Sequence, residues 1–179
     1  TDMTAAVTTR EGQAAFGIGL EPMATDASLI AVDHFTAECV GIHAAKRGTR
    51  LEALEPVRQG VRARFGAIGK DVAVGLSLRH DHGTQYMSHD FQNEIRWFGM
   101  TSSPAFVRAP EGNGCAERFI RTLKENLLWV RTFETVEDLR QALIAFQRRY
   151  NEEWLIQRHG YRSPAQFRRD LEAALPAAA

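Results

Sequence analysis

Two segments of this sequence carry carboxylates at positions where they could do chemistry. The strand-like run VAVGLSL is followed by RHDHGTQY, so Asp81 stands where a buried strand emerges into a loop containing Gly83. Open α/β sheets favour that place for active-site acids, because the strand fixes the side chain and the loop leaves room for a ligand. An Asx-turn aspartate capping the loop would occupy the same position. Glu117 lies in GNGCAERFIRTLKEN. At about 100° per residue, Glu117, Arg121 and Lys124 form one narrow helical stripe, roughly a right angle from the apolar stripe of Ala116, Ile120, Leu123 and Leu127. Glu117 therefore sits at the edge of a buried face with cations one and two turns along. The plainer alternative is a surface ion pair with Arg121, worth about 0.3–0.5 kcal/mol. His80 and His82, flanking Asp81, are read as loop residues.

The elements that must position these acids follow from periodicity. Residues 2–9, DMTAAVTT, read as a strand running into a turn, and SLIAVDHF and ECVGIHA as two consecutive strands, which suggests an antiparallel meander. Leu51, Leu54, Val57, Val61 and Phe65 recur at helical spacing, with Gly66 as C-cap. Residues 71–78 are a second apolar strand-type run. Ser88 precedes a helix carrying Phe91, Ile95 and Phe98 that Gly99 ends. Residues 102–114, with two prolines and two glycines, read as a loop. Helices follow over 115–130, over 135–150 with Thr135 and Asp138 as a capping box, and over 163–171. The 35 residues between Asp81 and Glu117 thus comprise a helix, a short strand and a loop.

With 179 residues, 44% of them hydrophobic, one well-packed domain is expected over residues 1–172, with 173–179 as a frayed Ala/Pro tail. Cys39 and Cys115 have no CxxC spacing, so neither a disulfide framework nor a zinc site is indicated. The chain has no membrane-length apolar run and no signal-peptide layout, so it is read as soluble and cytoplasmic. Lys plus Arg and Asp plus Glu each number 22, so overall basicity gives no argument for nucleic-acid binding. Arginines crowd the C-terminal third, interspersed with acids, in the manner of a charge-mixed solvated face.

TDMT, HDHGTQY and GNGCAERFIRTLKEN, in this order, resemble the Asp, Asp, 35 residues, Glu signature of DDE-type transposase and integrase catalytic cores, the retroviral-integrase superfamily. Within it the sequence looks most like transposases of bacterial insertion sequences, whose glutamate helix carries a Lys or Arg after six intervening residues. Lys124 fits that spacing, and RYNEEWLIQRHGYRSPAQF looks like that family's usual end. The resemblance implies an α/β, ribonuclease-H-like fold: a five-stranded mixed sheet, an antiparallel meander plus two further strands, flanked by helices.

It also implies a metal-dependent polynucleotidyl transferase that cleaves DNA ends and joins them in transposition. Two Mg²⁺ (or Mn²⁺) ions, about 3.5–4 Å apart in such sites, would be held by Asp2, Asp81 and Glu117, with Asp2 bridging both. Lys124 and Arg121, with Asn113 and Arg118, would hold the DNA backbone, contacts that position without reading sequence. Gln85 and Tyr86 match the pattern after the second Asp and would pack or orient that loop. Implied partners are element ends, target DNA and further copies of the chain. The helix-turn-helix that such transposases carry at the N-terminus is expected to lie outside this sequence, and sequence-specific recognition with it.

Two features depart from the pattern. Asp2 stands at the very start, and FGIGLEPMATDA, within 14–27, looks like an insertion at the first hairpin, which leaves Asp33 as a rival for the first acid. Two other functions remain open: a ribonuclease-H-like nuclease that only hydrolyses, and a non-catalytic or decayed fragment serving as a DNA-binding or assembly module.

Overall fold

A computed structural model describes residues 14–22, 27–47, 49–104 and 114–174, with backbone alone for 14–22 and 27. The strand expected over 2–9, the acid Asp2, the candidate Asn113 and the last five residues of the tail lie outside the described residues.

One five-stranded sheet has the order β3-β2-β1-β4-β5. Its strands are β1 (Ala14–Pro22), β2 (Ala27–Asp33), β3 (Cys39–Ala45), β4 (Leu76–His80) and β5 (Thr101–Pro104). β1, β2 and β3 are successive antiparallel neighbours, whereas β4 and β5 run parallel to β1. Central β1 sets the register: Phe16 faces Asp33 on one side and Leu78 on the other. The segment read as an insertion is therefore a strand of the sheet. Gly17 and Gly19 disguise it, because glycine is poor in strands that must supply their own packing but acceptable where both edges are hydrogen-bonded to neighbours.

Side chains alternate across a strand, and the sheet sorts them into two cores. Leu29, Ala31, Leu76 and Leu78 pack on one face with helix α1 (Arg50–Phe65), the single turn α2 (Thr84–Met87) and α3 (His89–Trp97). Ile30, Val32, Cys39, Ile42 and Ala44 pack on the other with α4 (Gly114–Leu123) and α5 (Val136–Glu153). A 3₁₀ turn (Gln157–His159) and α6 (Pro164–Ala173) close the chain.

Local chemistry explains most boundaries. Thr49 and Ser88 cap α1 and α3 by accepting from Glu52 N and Phe91 N, and Gly66 ends α1 at φ 78°. Thr135 and Asp138 form the expected reciprocal capping box of α5, whose stripe Leu139, Leu143, Phe146 and Tyr150 is buried. α1 lies so close to β3 that a Cβ on Gly41 would fall 2.0 Å from the Pro56 carbonyl oxygen, so only glycine fits there. The strand expected from residue 71 begins only at Leu76. Asp71 and Gly75 hold positive φ (57° and 87°), and Ala73 N donates to Phe98 O, so residues 71–75 turn instead of extending. Residues 102–104, the start of the segment read as a loop, belong with Thr101 to the edge strand β5, the short strand expected between Asp81 and Glu117, and Pro104 is tolerated at its end.

Candidate active site

Asp81 follows the last residue of β4. Along that strand Leu76, Leu78 and His80 are buried on the α1 face, so Ser77, Arg79 and, by continued alternation, Asp81 point to the α4 face. Asp81 is exposed, and its Oδ1 accepts from Gly83 N at 2.6 Å. This is the Asx-turn geometry, and it occupies one carboxylate oxygen. A Cβ on Gly83 would lie 2.6 Å from Gln85 Nε2 and 2.8 Å from that oxygen, so a larger residue there would have to displace one of these side chains.

His80 is fully buried and belongs to the core rather than to the loop. Its Nδ1 lies 2.6 Å from the Asp81 carbonyl oxygen and its Nε2 2.8 Å from Ser102 Oγ. A carbonyl only accepts, so Nδ1 carries the proton. Burial, the largest cause, lowers the pKa and keeps the ring neutral, and Nε2 accepts from the Ser102 hydroxyl. The ring packs against Tyr86 and Phe91 at centroid distances of 5.6 and 6.1 Å. Both nitrogens are thus engaged in fixing the end of β4 and with it Asp81. Tyr86 is buried beside them, and burial followed by the Asp81 charge drives its phenol pKa upward. His82 is exposed.

Glu117 is the fourth residue of α4 and is exposed, while Ala116 and Phe119 on either side are buried in the second core. Arg121 pairs with Glu125 (Nε to Oε1, 2.8 Å), not with Glu117, so the plain surface pair anticipated for the glutamate is not made. Hydrogen bonding to Glu125 is the main cause that raises the Arg121 pKa. Arg118 is exposed and Lys124 half-buried.

The helix does not run on unchanged to residue 130. A π turn, Lys124–Leu128, follows α4, and Trp129 N bonds the Lys124 carbonyl five residues back. The extra residue rotates the stripe, so Leu127 and Leu128 are both buried; upstream of it Phe119 is buried and Ile120 packs against the same core partly exposed. Hydrophobic periodicity at a fixed 100° cannot reveal such a shift. The adjacent pair of leucines, 127 and 128, is the one sequence trace of it.

The rival acid Asp33 belongs elsewhere. It ends β2 on the parity of Leu29 and Ala31, the α1 face, and is 3% exposed. Its Oδ1 accepts from Phe35 N (2.9 Å) and Thr36 N (3.2 Å), and its Oδ2 lies 3.4 Å from Arg64 Nη2. Arg64 also binds Glu38, which in turn holds Arg168 of α6. Many C-terminal arginines are likewise neutralised: Arg140 by Glu137, Arg162 by Asp170 and Arg169 by Glu152. Among the described residues, no group of three His, Cys, Asp or Glu is gathered as for a metal ion. Asp81 and Glu117 are both exposed carboxylates, the type of oxygen donor that Mg²⁺ takes, and two acids alone would be an incomplete set.

The sheet with its two helical layers is an α/β core. Residues 99–172 match the family described as Integrase core domain. The resemblance to DDE transposase and integrase cores is thereby borne out. A transposase for insertion sequence element IS904 of Lactococcus lactis is 32% identical over 94 residues, 52% of this chain and 37% of that protein. Transposase InsD for insertion element IS2D of Escherichia coli is 29% identical over 124 residues, 68% of this chain and 40% of that protein. The chain spans 37% to 56% of the length of the first curated relatives it matches. Among solved structures, the catalytic core domain of BIV integrase superposes with TM-score 0.66 at 19% identity, covering 89% of this chain and 95% of that one. The magnesium complex of the HTLV-2 integrase catalytic core gives TM-score 0.60 at 14% identity, covering 87% and 94%. These likenesses establish the ribonuclease-H-like α/β fold. No helix of the described residues is long and apolar enough to cross a membrane.

Proposed function

We propose that this chain is the catalytic core of a DDE-type transposase that cleaves and joins DNA ends with Asp2, Asp81 and Glu117 as metal ligands. The observation that carries the reading is the shared face: β4 alternation turns Asp81 toward the side of the sheet on which the Glu117 helix packs. Asp33, opposed to them across the sheet and already satisfied, is the weaker rival, which supports Asp2 as the first acid. The HTLV-2 integrase core, whose structure was solved with magnesium, supports the metal assignment.

Bound divalent ions would activate the attacking oxygen and stabilise the departing one. The chain's residues supply the rest. The His80 and Gly83 contacts hold the Asp81 backbone and one of its oxygens, leaving the second oxygen to bind. Ala116 and Phe119 anchor the helix that presents Glu117. Lys124, Arg121, Arg118 and Asn113 hold the DNA backbone beside them. The attacking group is water for end cleavage and a DNA 3′-hydroxyl for joining, without a covalent protein intermediate. DNA ends, target DNA and further copies of the chain are the partners.

The deciding experiment is Mn²⁺-dependent strand transfer with pre-cut DNA ends, comparing the parent with Asp2→Asn, Asp81→Asn and Glu117→Gln. Loss of product in all three supports the proposal. Nicking without joining by the parent would indicate a hydrolytic nuclease, and variants equal to the parent would indicate a non-catalytic DNA-binding or assembly module.

A further inference from the structure

We infer that Arg158 is a positioning residue for the Glu117 helix, acting through the first turn of α4; this rests on the metal-dependent reading above. Arg158 stands on the 3₁₀ turn after α5 and is distant in sequence from every acid of the site. Its Nη2 donates to the carbonyl oxygens of His34 (3.0 Å) and Phe35 (3.5 Å) in the turn after β2. The same nitrogen lies 3.8 Å from Cys115 Sγ, two residues before Glu117. The Cys115 thiol in turn reaches the Asp33 carbonyl oxygen at 3.9 Å. A sulfur can accept from a guanidinium while donating to a carbonyl, so these contacts close a ring around the start of α4.

The turn that presents Arg158 is itself rigid. Ile156 and Arg162 bridge across it, Gly160 takes φ 67°, and Arg162 Nε donates to the His159 carbonyl at 2.7 Å. His159 stacks on Phe167 of α6 at 4.0 Å between centroids and 5° between planes, and the Arg162 guanidinium covers the same ring. Asp33, at the far end of the ring, is fixed by Arg64 and two backbone amides. Arg158 thus ties the first turn of the Glu117 helix to two fixed points, the β2 end and the closing turn. A helix that begins one turn before a metal ligand transmits any displacement of its start to that ligand. Groups that orient metal ligands from outside the coordination sphere typically change metal affinity about 10–100-fold when removed.

The test compares the parent with Arg158→Ala and Arg158→Lys by two measurements. Hydrogen exchange in the parent and Arg158→Ala should show faster exchange confined to the first turns of α4, with α1 and α5 unchanged. Half-maximal strand transfer by Arg158→Ala should need about 10-fold more Mg²⁺, with DNA affinity little altered, and Arg158→Lys should recover part of the shift. Unchanged exchange at α4, or faster exchange spread evenly over the fold, overturns the inference. Faster local exchange with an unaltered Mg²⁺ requirement overturns it too, because the ring then holds the helix without serving the site. If the parent shows no metal-dependent transfer, the functional reading fails and takes Arg158's positioning role with it, while the exchange result still reports whether the ring exists.

Discussion

Asp33 and Asp81 each stand at the end of a strand flanking β1, and their surroundings differ in almost every respect. Asp33 is buried, points to the α1 face, and has two backbone amides and a guanidinium as partners. Asp81 is exposed, follows a strand whose alternation leads toward the α4 face, and accepts one backbone amide. A buried carboxylate survives only when its hydrogen-bonding capacity is filled, and filling it removes the oxygen lone pairs that a cation would need. An acid left half-satisfied at a loop, beside a face that carries a second free acid, retains that capacity. The environment, more than strand-end position, separates a structural aspartate from a candidate ligand.

The sharpest way to break this comparison is to neutralise each acid without changing its shape. Asp81→Asn keeps an oxygen for Gly83 N, so the turn and the thermal midpoint should be retained. Metal assistance worth several kcal/mol would be lost, and strand transfer should fall about 10³-fold. Asp33→Asn should do the reverse. It weakens the contact to Arg64 inside a network with Glu38 and Arg168, and the denaturant midpoint should report a loss of about 2 kcal/mol, with strand transfer at saturating Mg²⁺ little changed. Equal effects of both changes on activity at unchanged stability would erase the distinction.

Much of this was legible in the sequence. The helix over Arg50–Phe65 and the capping box at Thr135 follow from local signals that the tertiary structure leaves alone. Asp81 and Glu117 could each be placed by periodicity, at a strand end and on a helix edge, but their pairing was implied by the family resemblance alone. β1 was not, since Ala14–Pro22 owes its strand to neighbours distant in sequence: β4, which begins at Leu76, lies 54 residues past its end. The π turn at Lys124 and the left-handed turn at Asp71 break periodicity from within. His80 looked like a loop residue because its partners Ser102 and Phe91 come from elements 22 and 11 residues away.

Acid tests the His80 arrangement. Burial lowers the pKa of His80, and likewise of His34 and His159, below the ordinary value of 6.5. The folded state therefore binds fewer protons than the unfolded chain as pH falls. The stability these rings contribute is fully present above pH 6.5 and is lost as pH drops through the lowered folded values. The denaturant midpoint should decline from about pH 6.5 downward, and less steeply in His80→Gln, whose amide remains neutral. An identical slope in that variant would mean that His80 is not the proton acceptor.

The smallest effect belongs to the outer end of the Glu117 stripe. Arg121 is held by Glu125 on an exposed surface, and such pairs are weak and screened by salt. Freed from Glu125, the guanidinium can follow a phosphate, and Glu125→Gln should tighten DNA binding slightly at low salt. Arg121→Ala should weaken binding by a small factor that does not depend on DNA sequence, and should reduce the slope of log affinity against log salt by about 1. Because the side chain is exposed and its partner Glu125 is exposed as well, its loss should leave the folded state and the Mg²⁺ requirement as they are. A change in Mg²⁺ requirement with an unaltered salt slope would instead make Arg121 part of the acid cluster, and the division between groups that hold metal and groups that hold DNA would have to move one turn along α4.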